Sequence, residues 1–264
     1  MCGIVGYVGP RPSTDILLSG LARLEYRGYD SAGIAVIDDA GELGMRKRAG
    51  KLGILREDLA RAPISDGTTG IGHTRWATHG GPTDGNAHPH LADEGKLAVI
   101  HNGIIENFAA LKAELVSEGY DFVSETDTEV AAVLLGREYR ANGADLEAAF
   151  RATVSRLDGA FTLLALHREH PGLVVGARRN SPLVIGLGEG ENFLGSDVAA
   201  FVEHTRSALA IGQDQIVAIT PGGVRVTDFD GDPVEVEPFE VTWDATAAEK
   251  GGWSSFMAKE VSEE

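Results

Sequence analysis

The sequence contains a single cysteine, Cys2, which follows Met1 and begins an apolar stretch that runs to Val8. If Met1 is removed, the thiol and a free α-amine belong to the same residue, so a nucleophile and a general base lie side by side. A plainer interpretation is also open, because a cysteine at the start of a buried strand usually serves as a small apolar side chain. Residues further along the chain have to separate the two interpretations.

A second group of reactive side chains lies between positions 73 and 80. Arg75, Trp76 and His79 supply a guanidinium, an indole and an imidazole, with Thr78 among them and a glycine directly behind. Guanidinium groups bind carboxylates in a bidentate manner, and mobile loops often cover binding sites. The pattern favours recognition of a small carboxylate under a mobile loop, although a surface arginine beside an ordinary aromatic residue would look the same.

Asn102 and Gly103 stand at the end of a predicted strand, where an amide side chain and a closely approachable glycine N–H could bind an oxyanion. The alternative is a type I′ turn, which an Asn-Gly pair also favours. Asp127 stands at the first position of a predicted helix and is suited to hold a substrate ammonium group. An acidic residue there also stabilises the helix dipole, so both interpretations of Asp127 stay open.

Two further polar segments have structural alternatives. Arg27 and Asp30 belong to a glycine-containing loop that is too polar for a core strand, and an ion pair between them is one interpretation. His88 and His90 flank a proline in the manner of a metal-ligand pair, with Asp93 nearby. This loop offers no other spaced ligands, so imidazoles that pack within the loop are favoured over zinc, and no metal or other cofactor is predicted.

The elements that must position these residues occur in separate blocks. Apolar spacing predicts helices over Asp15–Tyr26, Asn107–Ser117, Asp127–Ala141 and Leu146–Arg156, the third opened by a capping box of Thr126 and Glu129. Strands are predicted over Cys2–Val8, Ala32–Ile37, Ile71–Trp76, Leu97–His101, Phe161–Leu166, Leu173–Ala177, Leu183–Ile185, Phe193–Leu194 and Ile216–Ile219, with a short helix over Asp197–His204. Residues 38–70 are expected to form a turn-rich link and residues 78–90 a polar loop. Because helices do not alternate regularly with strands and no glycine-rich phosphate loop follows the first strand, the fold class is α+β rather than doubly wound.

Composition narrows the choice of partners. The 264 residues are 43% hydrophobic, enough for a sizeable core, and carry a formal net charge of −17. Nucleic acid and anionic membranes attract basic surfaces, so neither is expected as a partner. One cysteine allows no internal disulfide, and the sequence shows neither a signal-peptide pattern nor an apolar run of the length needed to span a bilayer. We expect a cytoplasmic protein.

Five motifs together resemble the class II, N-terminal-nucleophile glutamine amidotransferases, and among these the glutaminase half of the glucosamine-6-phosphate synthases. The motifs are CGIVG from Cys2, LEYRGYDSAG from Leu24, HTRWATHG from His73, NAHPH from Asn86 and HNGIIEN from His101. Amidophosphoribosyltransferases, the nearest alternative, usually carry a His-Arg-Gly-Gln-type string where this sequence has Tyr-Arg-Gly-Tyr-Asp-Ser. The resemblance extends over nearly all of the chain.

The resemblance implies a four-layer αββα fold, in which two antiparallel sheets pack between helical layers. It also implies that Cys2 attacks the side-chain amide of L-glutamine, with its own α-amine as base, while Asn102 and the Gly103 N–H hold the oxyanion. The other positions implied by the match are Arg75 for the α-carboxylate, Asp127 for the α-ammonium, Trp76, Thr78 and His79 on the covering loop, His88 as a further substrate contact, and Arg27 as a support of the N-terminal residue.

Full-length members of the family continue into sugar-isomerase domains that bind fructose 6-phosphate and receive the ammonia. We therefore expect residues 1–240 to form a glutaminase domain and residues 241–264 to begin a linker, with fructose 6-phosphate as a partner only through the missing domains. Full-length members form oligomers, and a monomer is the expectation for the isolated domain. A non-catalytic glutamine-sensing module would keep the same pocket, but binding alone needs no terminal thiol.

Overall fold

The structure is a computed structural model that describes residues 2–242. In this range the strands are β1 (Gly3–Val8), β2 (Ser31–Ile37), β3 (Leu43–Ala49), β4 (Thr69–Arg75), β5 (His90–Ala92), β6 (Leu97–Ile105), β7 (Gly159–His167), β8 (Val174–Arg179), β9 (Val184–Leu187), β10 (Asn192–Gly195), β11 (Ser207–Ala210), β12 (Gln215–Thr220), β13 (Gly223–Asp228) and β14 (Pro238–Glu240). The helices are α1 (Ser13–Leu24), α2 (Leu52–Arg61), α3 (Phe108–Ser117), α4 (Asp127–Ala141) and α5 (Leu146–Val154).

The strands form two antiparallel sheets. The larger sheet has the order β14-β11-β9-β10-β1-β4-β2-β3, and the smaller has the order β13-β12-β8-β7-β6-β5. β1 and β6, which carry the motifs of greatest chemical interest, are each paired on both sides, β1 with β10 and β4 and β6 with β5 and β7. Both strands are therefore held by hydrogen bonds along two edges.

The alternation of side chains along β1 shows how the layers stack. Ile4 and Val8 belong to an apolar core shared by the two sheets, whereas Val5 and Tyr7 belong to the core formed with α1 and α2. This is the period of two that a strand buried on both faces requires. A third apolar core joins α3, α4 and α5 to the other face of the smaller sheet. The layers are therefore helix, sheet, sheet and helix, and the expected α+β fold with αββα layering is confirmed.

The start of α4 follows the predicted capping pattern in part. Thr126 Oγ1 accepts a hydrogen bond from the Glu129 N–H at 3.3 Å, as an N-cap should. The Glu129 carboxylate does not accept a hydrogen bond from the Thr126 N–H, as a full capping box would require. It accepts instead from the N–H groups of Val123 (2.9 Å) and Ser124 (2.7 Å). The carboxylate thus fixes the chain that enters the helix, directly before Asp127.

The structure corrects several predicted elements. Residues 38–70, expected as a turn-rich link, contain β3 and α2. β3 is an edge strand with the sequence LGMRKRA and only partly buried side chains, and charged residues interrupt the apolar alternation that Leu43 and Met45 begin. The short helix predicted over Asp197–His204 is a single 3₁₀ turn at Val198–Ala200. Of residues 241–264, where a linker was expected to begin, residues 243–264 lie outside the described residues. Among residues 2–242, no helix combines the length and the apolar character needed to cross a membrane.

Candidate active site

A cavity of about 280 Å³ opens where the end of β4, the start of β1 and the second half of β6 meet. It contains nine of the ten residues that the sequence analysis selected for the site. Its lining is formed by Cys2, Arg27, Arg75, Trp76, Thr78, His88, His101, Asn102, Gly103, Ile104, Thr126, Asp127, Thr128, Ser181 and Pro182. His79 is the selected residue that does not line it.

Strand pairing brings Cys2 to the cavity. Gly3 pairs with Thr74 on β4, so the residue before Gly3 lies beside the end of β4, and the Trp76 N–H donates to Cys2 Sγ at 3.1 Å. Burial raises the pKa of the Cys2 thiol above its ordinary value, while the hydrogen bond from Trp76 acts in the opposite direction. The thiol is therefore protonated at neutral pH, and a base must remove its proton before it attacks a substrate.

Asn102 and Gly103 lie within β6, so the type I′ turn interpretation is wrong. They pair with Thr162 and Phe161 on β7, and β6 continues to Ile105. The Asn102 Nδ2 donates to the Cys2 carbonyl oxygen at 2.9 Å, which places the amide beside the thiol residue. Gly103 has φ +115°, and a Cβ there would lie 2.0 Å from the Ala160 carbonyl oxygen. Only glycine fits this position.

Asp127 joins the N-terminus of α4 to β6. Its Oδ2 accepts a hydrogen bond from the Ile105 N–H at 2.9 Å, and its Oδ1 lies 3.8 Å from His101 Nδ1. His101 Nδ1 is also 3.0 Å from Thr128 Oγ1. The carboxylate is buried, yet it lines the cavity. It therefore has a structural role and also presents negative charge where an ammonium group could bind.

Arg75 holds the loop that follows β4. Its guanidinium donates to the carbonyl oxygens of His79, Gly80 (3.4 Å) and Gly81 (3.2 Å). Within residues 2–242 it forms no ion pair with a carboxylate, although only 4% of the residue is exposed. Burial lowers its pKa from the ordinary value. The carboxylates of Asp127 and Asp30 act on Arg75 only from beyond ion-pair distance. A buried cation without a direct ion pair is costly, so the cavity favours an incoming anion at this point.

The loop residues differ in their placement. Trp76 is 46% exposed and stands edge-on to Tyr29, with ring centroids 5.5 Å apart. Thr78 lines the cavity. The His79 ring contacts Phe108 at 5.4 Å between centroids and so packs against α3, while only its carbonyl oxygen is engaged by Arg75. In this loop, Trp76 and Thr78 line the cavity, whereas His79 anchors the loop against α3.

The far end of the same loop is fastened to β3 by a lysine. Lys47 Nζ donates to the carbonyl oxygens of Gly85 (3.2 Å) and Ala87 (2.7 Å). Burial lowers the pKa of Lys47 to about 8, while Glu129 and Asp84 act in the opposite direction. The predicted link region therefore contributes directly to the site, because β3 supplies this anchor.

Arg27 lines the cavity but does not pair with Asp30. It forms an ion pair with Asp197 and donates to the Ser196 carbonyl oxygen at 3.4 Å. The Ser196 hydroxyl in turn accepts from the Ile4 N–H at 3.1 Å, so Arg27 is connected to β1 through Ser196. Asp30 instead accepts from the Ala77 N–H at 2.9 Å. The alternative of an Arg27–Asp30 bridge is wrong.

The histidines near the cavity are buried and contact one another. The His88 ring contacts the His73 ring at a tilt of 35° with centroids 4.2 Å apart, and His90 Nε2 lies 2.9 Å from Thr126 Oγ1. Burial lowers the pKa of each of these three imidazoles, to about 3 for His73. Among the described residues, no group of three or more His, Cys, Asp or Glu side chains is arranged to hold a metal ion.

Some cavity residues were not predicted from the sequence. Ser181 and Pro182 form a wall because the Thr162 hydroxyl donates to both of their carbonyl oxygens, at 3.0 and 3.1 Å. No local pattern indicates this contact, which depends on the pairing of β7 with β8, the strand that precedes Ser181. His101 and Thr128 face one another across β6 and α4, and only the neighbouring Asn102 and Asp127 indicated these positions.

The layering of two antiparallel sheets between helices, with a cysteine at the head of a central strand, is the architecture that this chain shares with amidotransferases of the N-terminal-nucleophile class. The family described as "Glutamine amidotransferase domain" matches residues 58–227, and the chain belongs to this family.

Relatives and solved structures agree with this assignment. The chain is 75% identical over its whole length to a protein of Leifsonia xyli and 62% identical to one of Streptomyces coelicolor, both named glutamine–fructose-6-phosphate aminotransferase [isomerizing]. It spans 43% of the length of each. A glutamine phosphoribosylpyrophosphate amidotransferase from B. subtilis is 27% identical with a TM-score of 0.73, over 88% of this chain and 50% of that one. A class-II glutamine aminotransferase domain protein from Silicibacter pomeroyi shares the fold, with 17% identity and a TM-score of 0.59 over 86% of this chain and 99% of that one.

Proposed function

We propose that this chain hydrolyses L-glutamine to glutamate and ammonia, with Cys2 as the nucleophile. The observation that carries the proposal is the 2.9 Å contact between Asn102 Nδ2 and the Cys2 carbonyl oxygen, which sets an oxyanion donor beside the thiol. Arg75 and Asp127 add a buried positive and a buried negative group to the same cavity. These charges suit the α-carboxylate and the α-ammonium of an amino acid.

In the proposed reaction, removal of Met1 frees the α-amine of Cys2, which takes the thiol proton as Sγ bonds to the side-chain carbonyl carbon. The carbonyl oxygen becomes an oxyanion, held by Asn102 Nδ2 and the Gly103 N–H. Collapse of this intermediate breaks the C–N bond, and the proton from the amine leaves with ammonia. Water then hydrolyses the thioester, which yields glutamate and restores the thiol.

The glutaminase assay compares three forms of the protein: chain shown by intact mass to begin at Cys2, chain with a residue retained before Cys2, and Cys2→Ala. We expect glutamate release only from the first form. Cys2→Ala is expected to keep glutamine binding and its melting temperature, because the substitution changes little volume. Binding without turnover in all three forms would favour the sensing module, and substantial turnover by Cys2→Ala would overturn the role of the thiol.

We further propose that the ammonia serves an amino-sugar synthesis carried out by a longer protein. The support is the 43% coverage of relatives named for fructose 6-phosphate and isomerisation. Residues 1–240 would then be the glutaminase domain and residues 241–264 the start of the linker to sugar-isomerase domains, in an oligomeric enzyme of the cytoplasm. The chain alone should release glutamate at the same rate with or without fructose 6-phosphate and should form no glucosamine 6-phosphate. Amino-sugar formation by the chain alone would refute this division.

A further inference from the structure

The side-chain amide of Asn102 can serve an oxyanion in only one of its two orientations. Its oxygen and nitrogen ends have nearly the same shape, but only Nδ2 carries hydrogens to donate. In the structure, Nδ2 uses one hydrogen on the Cys2 carbonyl oxygen and has a second to offer. If the amide turned over, Oδ1 would face the Cys2 carbonyl oxygen, and two acceptors would repel one another.

His73 contacts the opposite end of this amide. It lies on β4, opposite Ile4 of β1, and its side chain is fully buried. The His73 Nε2 is 2.9 Å from Asn102 Oδ1 and 2.9 Å from the His101 carbonyl oxygen. The carbonyl oxygen can only accept a hydrogen bond, so Nε2 must carry the proton.

The protonation of His73 at neutral pH follows from its surroundings. Burial lowers the pKa of His73 to about 3, and the charges of His101 and Arg75 also lower it, whereas the hydrogen bonds to Asn102 and to the His101 backbone act in the opposite direction. The ring is therefore neutral, with its one proton on Nε2, and Nδ1 has no hydrogen-bond partner among residues 2–242. A turned amide would place the Asn102 NH₂ group against this N–H, donor against donor. Both ends of the amide thus favour the orientation with Nδ2 towards Cys2.

We infer that His73 is a positioning residue that holds the Asn102 amide in its oxyanion-binding orientation. The inference rests on the proposed glutaminase function. His73 does not line the cavity, so it acts on the reaction through Asn102 and not through glutamine. Its loss should lower kcat and leave KM nearly unchanged, because the oxyanion forms only in the transition state.

A double-mutant cycle of His73→Phe and Asn102→Ala tests this inference. His73→Phe keeps a ring of similar size against His88 but has no donor, and we expect it to lower kcat about 10-fold or more, up to the 10²- to 10³-fold loss usual for one oxyanion donor. In the Asn102→Ala background it should have no further effect on kcat. His73→Gln, which can donate from its amide, should recover part of the lost kcat.

The matched control is His90→Phe, which also removes a buried imidazole but one that contacts Thr126 and not Asn102. The factor by which His90→Phe lowers kcat should be the same in the wild-type and the Asn102→Ala backgrounds, since residues that share no partner behave additively. The inference would be overturned if His73→Phe lowered kcat by the same factor in both backgrounds, or if its effect were confined to KM. Absence of glutamate release from wild-type chain that begins at Cys2 would overturn the proposed function instead.

Nitrogen NMR of the histidine-labelled wild-type protein tests the geometry without turnover. We expect the His73 ring to show a protonated Nε2 and a bare Nδ1, with no titration down to about pH 4. Observation of the Nδ1–H form would overturn the inference even if every variant were inactive or poorly folded.

Discussion

Arg75 has contacts that indicate both a structural role and a substrate-binding role. Its hydrogen bonds to the carbonyl oxygens of His79, Gly80 and Gly81 give it a structural task, but they leave its charge without a carboxylate partner in the described chain. Carbonyl oxygens compensate a guanidinium less well than an anion does. A substrate carboxylate would therefore improve the environment of Arg75 in the ground state and in the transition state alike.

Arg75→Gln is accordingly expected to raise the KM for glutamine about 10- to 100-fold, the range of a hydrogen bond to a charged group, with a smaller change in kcat. Arg75→Lys should recover little, because a lysine lacks the planar fork. The control is a second substrate, the α-amide of glutamine, which has no α-carboxylate and should lose no further affinity in Arg75→Gln. If both substrates are affected equally, Arg75 acts through the loop and not through the carboxylate.

The sequence identified the side chains of the cavity better than it identified their neighbours. Cys2, Asn102 and Asp127 were selected from residue type and motif, and they meet in one cavity. His73 stands in one of the same motifs but was given no role. Its role depends on a contact with Asn102, 29 positions away, that only the packing of the two sheets creates.

At the scale of elements, β6 overrides a local preference. Asn-Gly favours a turn, yet pairing with β7 extends the strand through Asn102 and Gly103 to Ile105. β3 and α2, in contrast, are elements that the sequence analysis did not predict. In β3, charged residues interrupt the alternation that Leu43 and Met45 begin. In α2, the buried Leu52, Leu55 and Leu59 stand at i, i+3 and i+7, a helical spacing that was available in the sequence and was missed.

Gly103→Ala tests the strand geometry that β6 imposes. The added Cβ would meet the Ala160 carbonyl oxygen at 2.0 Å, and backbone cannot move away as a flexible side chain can. We expect a loss of unfolding free energy of at least about 2 kcal/mol, since strain in φ and a steric clash add, together with loss of turnover. Thermal or denaturant unfolding and the glutaminase assay measure the two effects.

Gly119→Ala is the matched control, because Gly119 has φ +93° but open space around the added Cβ. This variant should show the backbone cost alone, about 1 kcal/mol, and normal turnover. Equal destabilisation by the two substitutions would mean that the contact with Ala160 is relieved by a small shift of β7.

At the scale of the whole molecule, the site exists only where the two sheets meet. Cys2 directly precedes β1 of the larger sheet, and Asn102 lies on β6 of the smaller sheet, one hundred positions later in the chain. The resemblance indicated the layered fold correctly, whereas composition and periodicity led only as far as α+β. Strand order and register follow from long-range pairing, which no local pattern encodes.

The same junction buries four histidines: His73, His88, His90 and His101. Burial is the main cause that lowers the pKa of each imidazole. Arg75 and Lys47 lower the pKa of His90 further, whereas Asp127 opposes the shift at His101.

Because these pKa values are lower in the folded protein than in the unfolded chain, the unfolded chain binds more protons once the pH falls below about 6.5. Stability should then decrease with falling pH by about 1.4 kcal/mol per pH unit for each histidine that stays neutral in the folded state. Urea unfolding between pH 7 and pH 4 measures this slope. His88→Asn should reduce the slope by about one proton, whereas Ile71→Ala, a destabilising core substitution without a titratable group, should lower stability and leave the slope as it is. An unchanged slope in His88→Asn would show that His88 is protonated in the folded protein at these pH values.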